Sequence, residues 1–121
     1  MSLIIHTRQA EGVTVLALAG SIRLGESTAA LRDAIRKVPG SNPRILLDLS
    51  AVDYLDSAGL GELVGSYTSI ASRGGALKLL NPQKRITSLL QLTKLYTVFE
   101  TFTDEAEAVA SFSAAGVASE G

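Results

Sequence analysis

Cysteine is absent from the 121 residues of the chain, and basic residues do not outnumber acidic ones. Without cysteine there is no disulfide, no thiolate zinc ligand and no thiol nucleophile, so a hydrophobic core must hold the fold, as is usual in cytoplasmic proteins. Eleven Lys and Arg residues against twelve Asp and Glu residues give a formal net charge of -1. Since that charge provides no positive field for nucleic acid or an anionic membrane, we expect a cytoplasmic protein that binds neither directly.

Long apolar runs are also absent. No run approaches the roughly 20 apolar residues that cross a bilayer, and the N-terminus has no charged leader followed by an apolar stretch, so we expect neither export nor membrane insertion. The chain does have 46% hydrophobic and 19% charged residues, which is typical of a globular domain. No internal repeat is visible, so we predict one domain over residues 1–112 and a flexible tail over residues 113–121.

Hydrophobic periodicity predicts an α/β fold. Short runs of aliphatic and β-branched residues indicate strands, at residues 3–8, 13–19, 45–49, 76–80 and 97–100. Apolar residues spaced three and four apart indicate helices, at residues 26–38, from near Ser57 to the Gly74-Gly75 turn, 82–92 with Pro82 first, and 104–112. The first two strands form a hairpin and the third lies mid-sheet. This order predicts a small mixed β-sheet of four to five strands packed with about four α-helices.

The segment that joins the mid-sheet strand to the second helix stands out, because it is short, acidic and rich in glycine. It reads Asp53-Tyr54-Leu55-Asp56-Ser57-Ala58-Gly59-Leu60-Gly61. In open α/β sheets, ligands and partners gather outside the carboxyl ends of the strands. The Ser57 hydroxyl suits a helix N-cap, and the Asp56 carboxylate favours the same positive end of the helix dipole. From the residues alone, a structural cap and a functional serine both remain open.

Enzymatic readings of this segment fail on spacing. A nucleophile elbow needs Gly two residues before Ser57, where Leu55 stands, and the only imidazole is that of His6 in a strand-like run. We therefore predict no catalytic residue.

Cofactor and metal readings are equally weak. The glycine spacings after Gly59 do not match the dinucleotide fingerprint. Asp48, Asp53 and Asp56 could gather around Mg²⁺, but turn and capping roles account for acids at such positions. Lys84 and Arg85 read as the solvated face of a helix. We predict no cofactor and no metal, and a small enzyme or nucleotide-binding domain remains the least favoured alternative.

Asp56-Ser57-Ala58-Gly59-Leu60-Gly61 resembles the Asp-Ser-(Ser/Thr)-Gly-Leu/Ile-Gly motif of the STAS domains of bacterial anti-sigma-factor antagonists. The resemblance implies a STAS-type fold and a non-catalytic role. In that family the unphosphorylated antagonist captures an anti-sigma factor, which is an ATP-binding serine kinase, and so frees the sigma factor. By the motif, Ser57 is the phosphoacceptor, and a serine phosphatase would reset it. The expected partner-binding residues are Arg23, Asp53, Asp56, Ser57, Ala58, Gly59, Leu60 and Gly61.

Two departures from the family pattern bear on the partner. Ala58 replaces the usual Ser or Thr, and Ser21 and Arg23 stand where the family has acids. Arg23 could pair with Asp56 or with a phosphate on Ser57. The alternative hypothesis is a STAS scaffold or subunit of a multi-protein sensing or lipid-transport assembly, in which Ser57 is only a cap.

Overall fold

Five strands form one mixed sheet, and their order in the sheet is their order in the chain. The structure, a computed structural model, describes the backbone of residues 3–120 and the side chains of residues 3–113. The strands are β1 (Ile4–Ala10), β2 (Val13–Ile22), β3 (Arg44–Leu55), β4 (Ala76–Leu80) and β5 (Thr101–Phe102). β1 runs antiparallel to β2, and the other neighbours are parallel. The predicted mixed sheet, with its opening hairpin and its third strand in the centre, is confirmed.

Local chemistry explains the hairpin that opens the sheet. Glu11 and Gly12, between β1 and β2, have φ angles of 52° and 84°. Two positive φ angles in succession are the requirement of the tightest hairpin turn, and glycine meets it without steric cost. The register then pairs Ala10 with Val13 and Ile4 with Ala19.

Four α-helices follow the sheet strands. They are α1 (Glu26–Lys37), α2 (Ser57–Ser72), α3 (Lys84–Leu92) and α4 (Glu105–Glu120), with a short 3₁₀ turn at Leu95–Thr97. Each α-helix begins just after one of the parallel strands β2 to β5 ends. The four helix N-termini therefore gather at one edge of the sheet, which we call the carboxyl edge. No helix in the backbone described here combines the length and apolar character that a membrane crossing requires.

The helices divide between the two faces of the sheet. The larger apolar cluster joins one sheet face to α1, α2 and α3 through residues such as Leu31, Leu63 and Ile86. The smaller cluster joins the other face to α4 through Ala108, Val109 and Phe112. Each fully buried aliphatic side chain contributes about 1.5–3 kcal/mol of burial free energy. The larger cluster thus fixes α2, which carries the Ser57 segment.

The predicted end of β3 and the predicted start of α3 were wrong. β3 continues to Leu55 rather than ending at residue 49, because Val52 and Leu55 remain buried and pair with the end of β2 across two irregularities in register. Asp53 therefore lies on a strand and not in a loop. Pro82 precedes α3, whose N-cap is Gln83.

The strand predicted at residues 97–100 was also wrong. Lys94 turns the chain with a φ of 62° into the 3₁₀ turn, and Phe99 is buried in the larger cluster. Strand pairing starts only when the Glu100 carbonyl accepts a hydrogen bond from the Leu79 N–H, at 3.0 Å. The strand is consequently shifted to Thr101–Phe102.

Asp104 directly precedes α4, and its carboxylate accepts a hydrogen bond from the Ala106 N–H at 3.3 Å. Its backbone continues past the predicted end at Phe112 to Glu120. A flexible tail was predicted for residues 113–121. The side chains from residue 114 onward lie outside the described residues, so the flexibility of this tail stays a prediction.

Candidate functional site

The first turn of α2 lies at the carboxyl edge, and Asp56 caps it. The Asp56 Oδ1 atom accepts a hydrogen bond from the Gly59 N–H at 2.7 Å, and Oδ2 accepts one from the Leu24 N–H at 3.1 Å. Of the two roles that the sequence left open for Ser57, the structural cap is therefore excluded. A carboxylate is the better cap here because its two oxygens reach the helix and the β2–α1 connection together.

Ser57 is left as the first helical residue, and its side chain is exposed. Its hydroxyl makes no hydrogen bond to any of the residues that the structure describes. Since Asp56 already satisfies the capping requirement, the hydroxyl is available to solvent and to a reacting group at the positive end of the helix dipole.

Asp56 remains ionised at neutral pH. The pKa of its carboxyl group is lowered chiefly by the hydrogen bond from the Gly59 N–H, then by that from the Leu24 N–H, with smaller contributions from the Ala58 N–H and the positive charge of Arg23. The residue that precedes Ser57 in the chain therefore carries a negative charge at the start of α2.

Two glycines of the motif play opposite roles. Gly59 is buried, and a Cβ atom there would overlap the carbonyl oxygen of Ile22 and lie 2.8 Å from Leu55 Cδ1. The expectation that Gly59 lets a partner approach is corrected, because the space left by its missing side chain is taken up by the end of β2. Gly61 is exposed, and a Cβ atom there would meet nothing within 4 Å. Leu60, between them, is half-buried against the larger cluster.

Arg23 lies over an aromatic ring. Its guanidinium carbon is 4.3 Å from the centroid of the Tyr54 ring. Among the described side chains it forms no ion pair within 4.0 Å of Asp56, so that half of the expectation was wrong, while pairing with a phosphate on Ser57 stays a prediction. The contact uses the flat face of the guanidinium, which is attracted to the negative face of the aromatic ring. Ser21, at the other departure from the family pattern, donates to Asp53 Oδ1 at 3.2 Å.

The start of α3 also reaches this edge, which sequence reasoning missed. Arg85 Nη1 donates to the Asp53 carbonyl at 3.3 Å, and Gln83 Nε2 donates to the Ser50 carbonyl at 2.8 Å. Arg85 is thus a neighbour of the Ser57 segment and not only part of a solvated face. No signal in the sequence indicated this, because the contact depends on β3 and β4 lying side by side.

The structure brings the predicted partner-binding residues together at the carboxyl edge, except that Gly59 faces inward. Asp53 and Ser57 are exposed, while Ala58 is half-buried. His6 lies apart, exposed on β1. Within the described part of the chain, no three His, Cys, Asp or Glu residues are close enough to hold a metal ion.

Comparison with known proteins shows which families and proteins this chain resembles. A family model described as the STAS domain matches residues 5–108. The anti-sigma-F factor antagonist RsfB of Mycobacterium tuberculosis is 34% identical over 106 residues, which cover 85% of this chain and 86% of the relative.

Solved structures share the fold. An anti-sigma factor antagonist from Mycobacterium paratuberculosis has a TM-score of 0.78 at 25% identity and covers 91% of this chain and 93% of its own. The Bacillus cell fate determinant SpoIIAA in its phosphorylated form has a TM-score of 0.68 at 19% identity and covers 89% of this chain and 98% of its own. At that identity, SpoIIAA shows the fold alone.

Proposed function

This chain belongs to the STAS domain family and is similar to anti-sigma factor antagonists, and on that premise we propose that it captures a serine-kinase anti-sigma factor at its carboxyl edge. In the unphosphorylated state it would hold the kinase and so release a sigma factor. Phosphorylation of Ser57 by the same kinase, with ATP bound by the kinase, would end the complex. The protein would act as a cytoplasmic regulator, because its partners act on transcription, and not as a catalyst.

The observation that carries this proposal is the exposed Ser57 hydroxyl, which bonds to none of the described residues and lies on a helix end that another residue caps. A phosphoryl group there adds about 1.5 to 2 negative charges and three acceptor oxygens. The first-turn N–H groups and the helix dipole accept such a group well. Because Asp56 keeps the cap, the fold need not rearrange when Ser57 is modified.

Binding is expected to fall for electrostatic reasons. Asp53 near the end of β3 and Asp56 at the cap of α2 already place two carboxylates in the segment that carries Ser57, and the pKa of Asp56 is lowered so that it stays charged. A partner that tolerates these charges must additionally desolvate a phosphate or meet it with its own acids. Like-charge contact across an interface suppresses a complex strongly, and we expect about a 100-fold loss of affinity.

Phosphorylation with a purified serine-kinase anti-sigma factor of the source bacterium tests the site. Intact-mass analysis should show one added phosphoryl group on wild type and on Ser88→Ala, a matched control at an exposed serine of α3, and none on Ser57→Ala. In titration calorimetry, Ser57→Ala should keep wild-type affinity and Ser57→Asp should weaken it. Modification of Ser57→Ala, or equal affinity of all variants, would refute the switch.

A scaffold role is the second candidate, and the departures from the family pattern favour it. Ser21 and Arg23 engage Asp53 and Tyr54 within the chain instead of presenting acids to a partner. In that case, wild type would enter a stable multi-protein complex without gaining phosphate, and Ser57→Asp would enter it equally well. A serine phosphatase partner is required only by the first candidate.

A further inference from the structure

β1 lies at one end of the sheet, and no strand pairs with its outer side in the part of the chain that the structure describes. The two-residue turn makes Ala10 and Val13 a hydrogen-bonded pair, and such pairs then alternate along the hairpin. The backbone groups of every second residue therefore point away from β2. The N–H and C=O groups of Ile5, Thr7 and Gln9 line this outer edge.

The outer edge of β1 lacks the features that proteins use to prevent strand pairing. β1 contains neither proline nor lysine, and its pairing with β2 runs from Ile4 to Ala10 without a shift in register. Prolines, lysines and bulges are the usual means of keeping an exposed edge from pairing with another chain. The Ile4 side chain, a large apolar group, is 54% exposed on this strand. β1 is therefore open to pairing over its full length.

A groove lies beside this edge, between β1 and α1. Its volume is about 380 Å³, and its lining includes Ile5 and Thr7 of β1 and Ala30, Asp33 and Ala34 of α1. The two alanines leave room above β1 for the side chains of an added strand. Because the outward backbone groups repeat at every second residue, only an extended segment matches them. The edge and the groove together indicate a β-strand as the occupant.

A second copy of β1 satisfies the hydrogen bonds of this edge completely. An antiparallel copy centred on Thr7 places Thr7 opposite its own counterpart and Ile5 opposite Gln9. Each of these is then a hydrogen-bonded pair, so all the outward N–H and C=O groups of both edges are used. β5, at the other end of the sheet, is only two residues long and offers no comparable edge. Pairing through β1 therefore stops at a twofold dimer.

The charges beside the edge are compatible with a second copy. Asp33 and Lys37 both line the groove, and their side chains, 52% and 75% exposed, pair with each other at 3.0 Å. A twofold partner presents the same two charges in reverse order, so each carboxylate has an ammonium group of the other copy to pair with. On the other face of β1, His6 would lie opposite Arg8, whose charge Glu105 already balances.

We infer that the chain forms a twofold dimer by antiparallel pairing of β1 with β1 of a second copy, which joins the two five-stranded sheets into one of ten strands. This dimer goes beyond the proposed function and does not depend on it. Ser57 follows β3, two strands away from β1 in the sheet. The Ser57 turn of each copy therefore stays open to a partner, and the dimer presents two such turns.

Amide hydrogen exchange of the full chain, measured by NMR, reads the pairing residue by residue. For a dimer with a Kd of about 50 µM, the amides of Ile5, Thr7 and Gln9 should exchange about fivefold more slowly at 1 mM than at 10 µM protein. The amides of His6 and Arg8, which pair with β2, should not change. Unchanged exchange at the three outward amides would overturn the inference.

Substitution of Thr7 tests the edge without removing a hydrogen bond between β1 and β2. Thr7→Pro deletes an outward N–H, so the hairpin should stay intact while the dimer Kd from analytical ultracentrifugation rises by about 30-fold. Thr7→Val, the matched control, keeps the shape and the N–H and should stay within about threefold. Thr7→Lys places two ammonium groups opposite each other and should raise the Kd by about tenfold at low salt and by less at high salt.

Far-UV circular dichroism and thermal unfolding establish that each variant is folded, and if Thr7→Pro is not, Thr7→Lys and the amide exchange decide the matter. Wild type that stays monomeric at every concentration would overturn the inference, as would a dimer that Thr7→Lys and folded Thr7→Pro leave unchanged. If the outward amides become protected only when the purified kinase anti-sigma factor is added, the edge binds a strand of that partner and the dimer is wrong.

Discussion

The first turn of α2 and the contact between β4 and α4 each contain a charged side chain, but only the first charge faces solvent. Asp56 is half-exposed and accepts from backbone N–H groups at the helix end. Lys78 on β4 is 5% exposed, lies 4.7 Å from the centroid of the Phe112 ring, donates to Ser111 Oγ at 2.9 Å and pairs with Glu100 at 3.1 Å.

The difference teaches where this molecule can change charge without unfolding. At the α2 turn, water and backbone dipoles already solvate a charge, so a second one alters recognition more than folding. Around Lys78, protein groups have replaced water on nearly every side. Removal of this side chain or of one of its partners would therefore leave a buried polar group unbonded or a cavity unfilled. The α2 turn is therefore suited to a switch, and the β4–α4 contact to holding α4 in place.

Truncation of Lys78 should produce the largest change in stability. Lys78→Ala removes a side chain packed on Phe112 and should lower the free energy of unfolding by about 3 kcal/mol in urea titrations. Lys78→Met keeps the volume and should lower it by about 1 kcal/mol or less. Affinity for the kinase should stay within about twofold in both variants. If Lys78→Ala lowered the free energy of unfolding by less than about 1 kcal/mol, the β4–α4 contact would not have the structural role that distinguishes it from the α2 turn.

Alanine at the two motif glycines should sharpen the comparison within the α2 turn itself. Gly59→Ala forces Cβ onto the Ile22 carbonyl oxygen and should lower the free energy of unfolding by about 2 kcal/mol. Gly61→Ala enters open space within a helix and should raise it by about 0.5–1 kcal/mol. Equal changes in the free energy of unfolding for the two variants, measured by urea titration, would contradict the assignment of Gly59 to the buried side of the turn and Gly61 to the exposed side.

Removal of the cap should have the smallest effect and should depend on pH. Because the pKa of Asp56 is lowered below its ordinary value of 3.8 in the folded chain, its ionised form stabilises the fold above that value. This contribution is lost as the pH falls through the lowered pKa. Asp56→Ala should reduce Tm by about 4 °C at pH 7 and by less near pH 3.

Asp56→Asn keeps an oxygen acceptor without the charge, so it should lower Tm less than alanine does at pH 7. Calorimetric scans of the three proteins across this pH range provide the measurement. A difference between wild type and Asp56→Ala that is the same at both pH values would contradict an ionised cap.

Most of the fold could be predicted because its elements are locally periodic. The spacing of Leu31 and Ile35 predicted the buried side of α1, and the continuous apolar run predicted that β3 is buried on both faces. Errors arose where the pattern weakened. β3 was predicted too short because Ser50 and Ala51 are exposed in mid-strand, and only pairing with β2 carries the strand across them to Leu55.

The candidate site could be predicted as a segment but not as an arrangement. Acids, a serine and glycines after a buried strand marked the place, yet the sequence could not tell which oxygen caps the helix. That depends on the Leu24 N–H, which β2 brings within 3.1 Å of the Asp56 carboxylate. The stacking of Arg23 on Tyr54 likewise needs β2 and β3 side by side.

By itself, the sequence determined the class of the fold, the order of its elements and the segment that carries Ser57, because periodicity and turn chemistry act between residues close in the chain. Only the tertiary structure decided that Asp56 is the cap, that Gly59 faces inward while Gly61 faces solvent, and that Lys78 is buried. These outcomes depend on distances between residues far apart in the chain, which the order and register of the strands set.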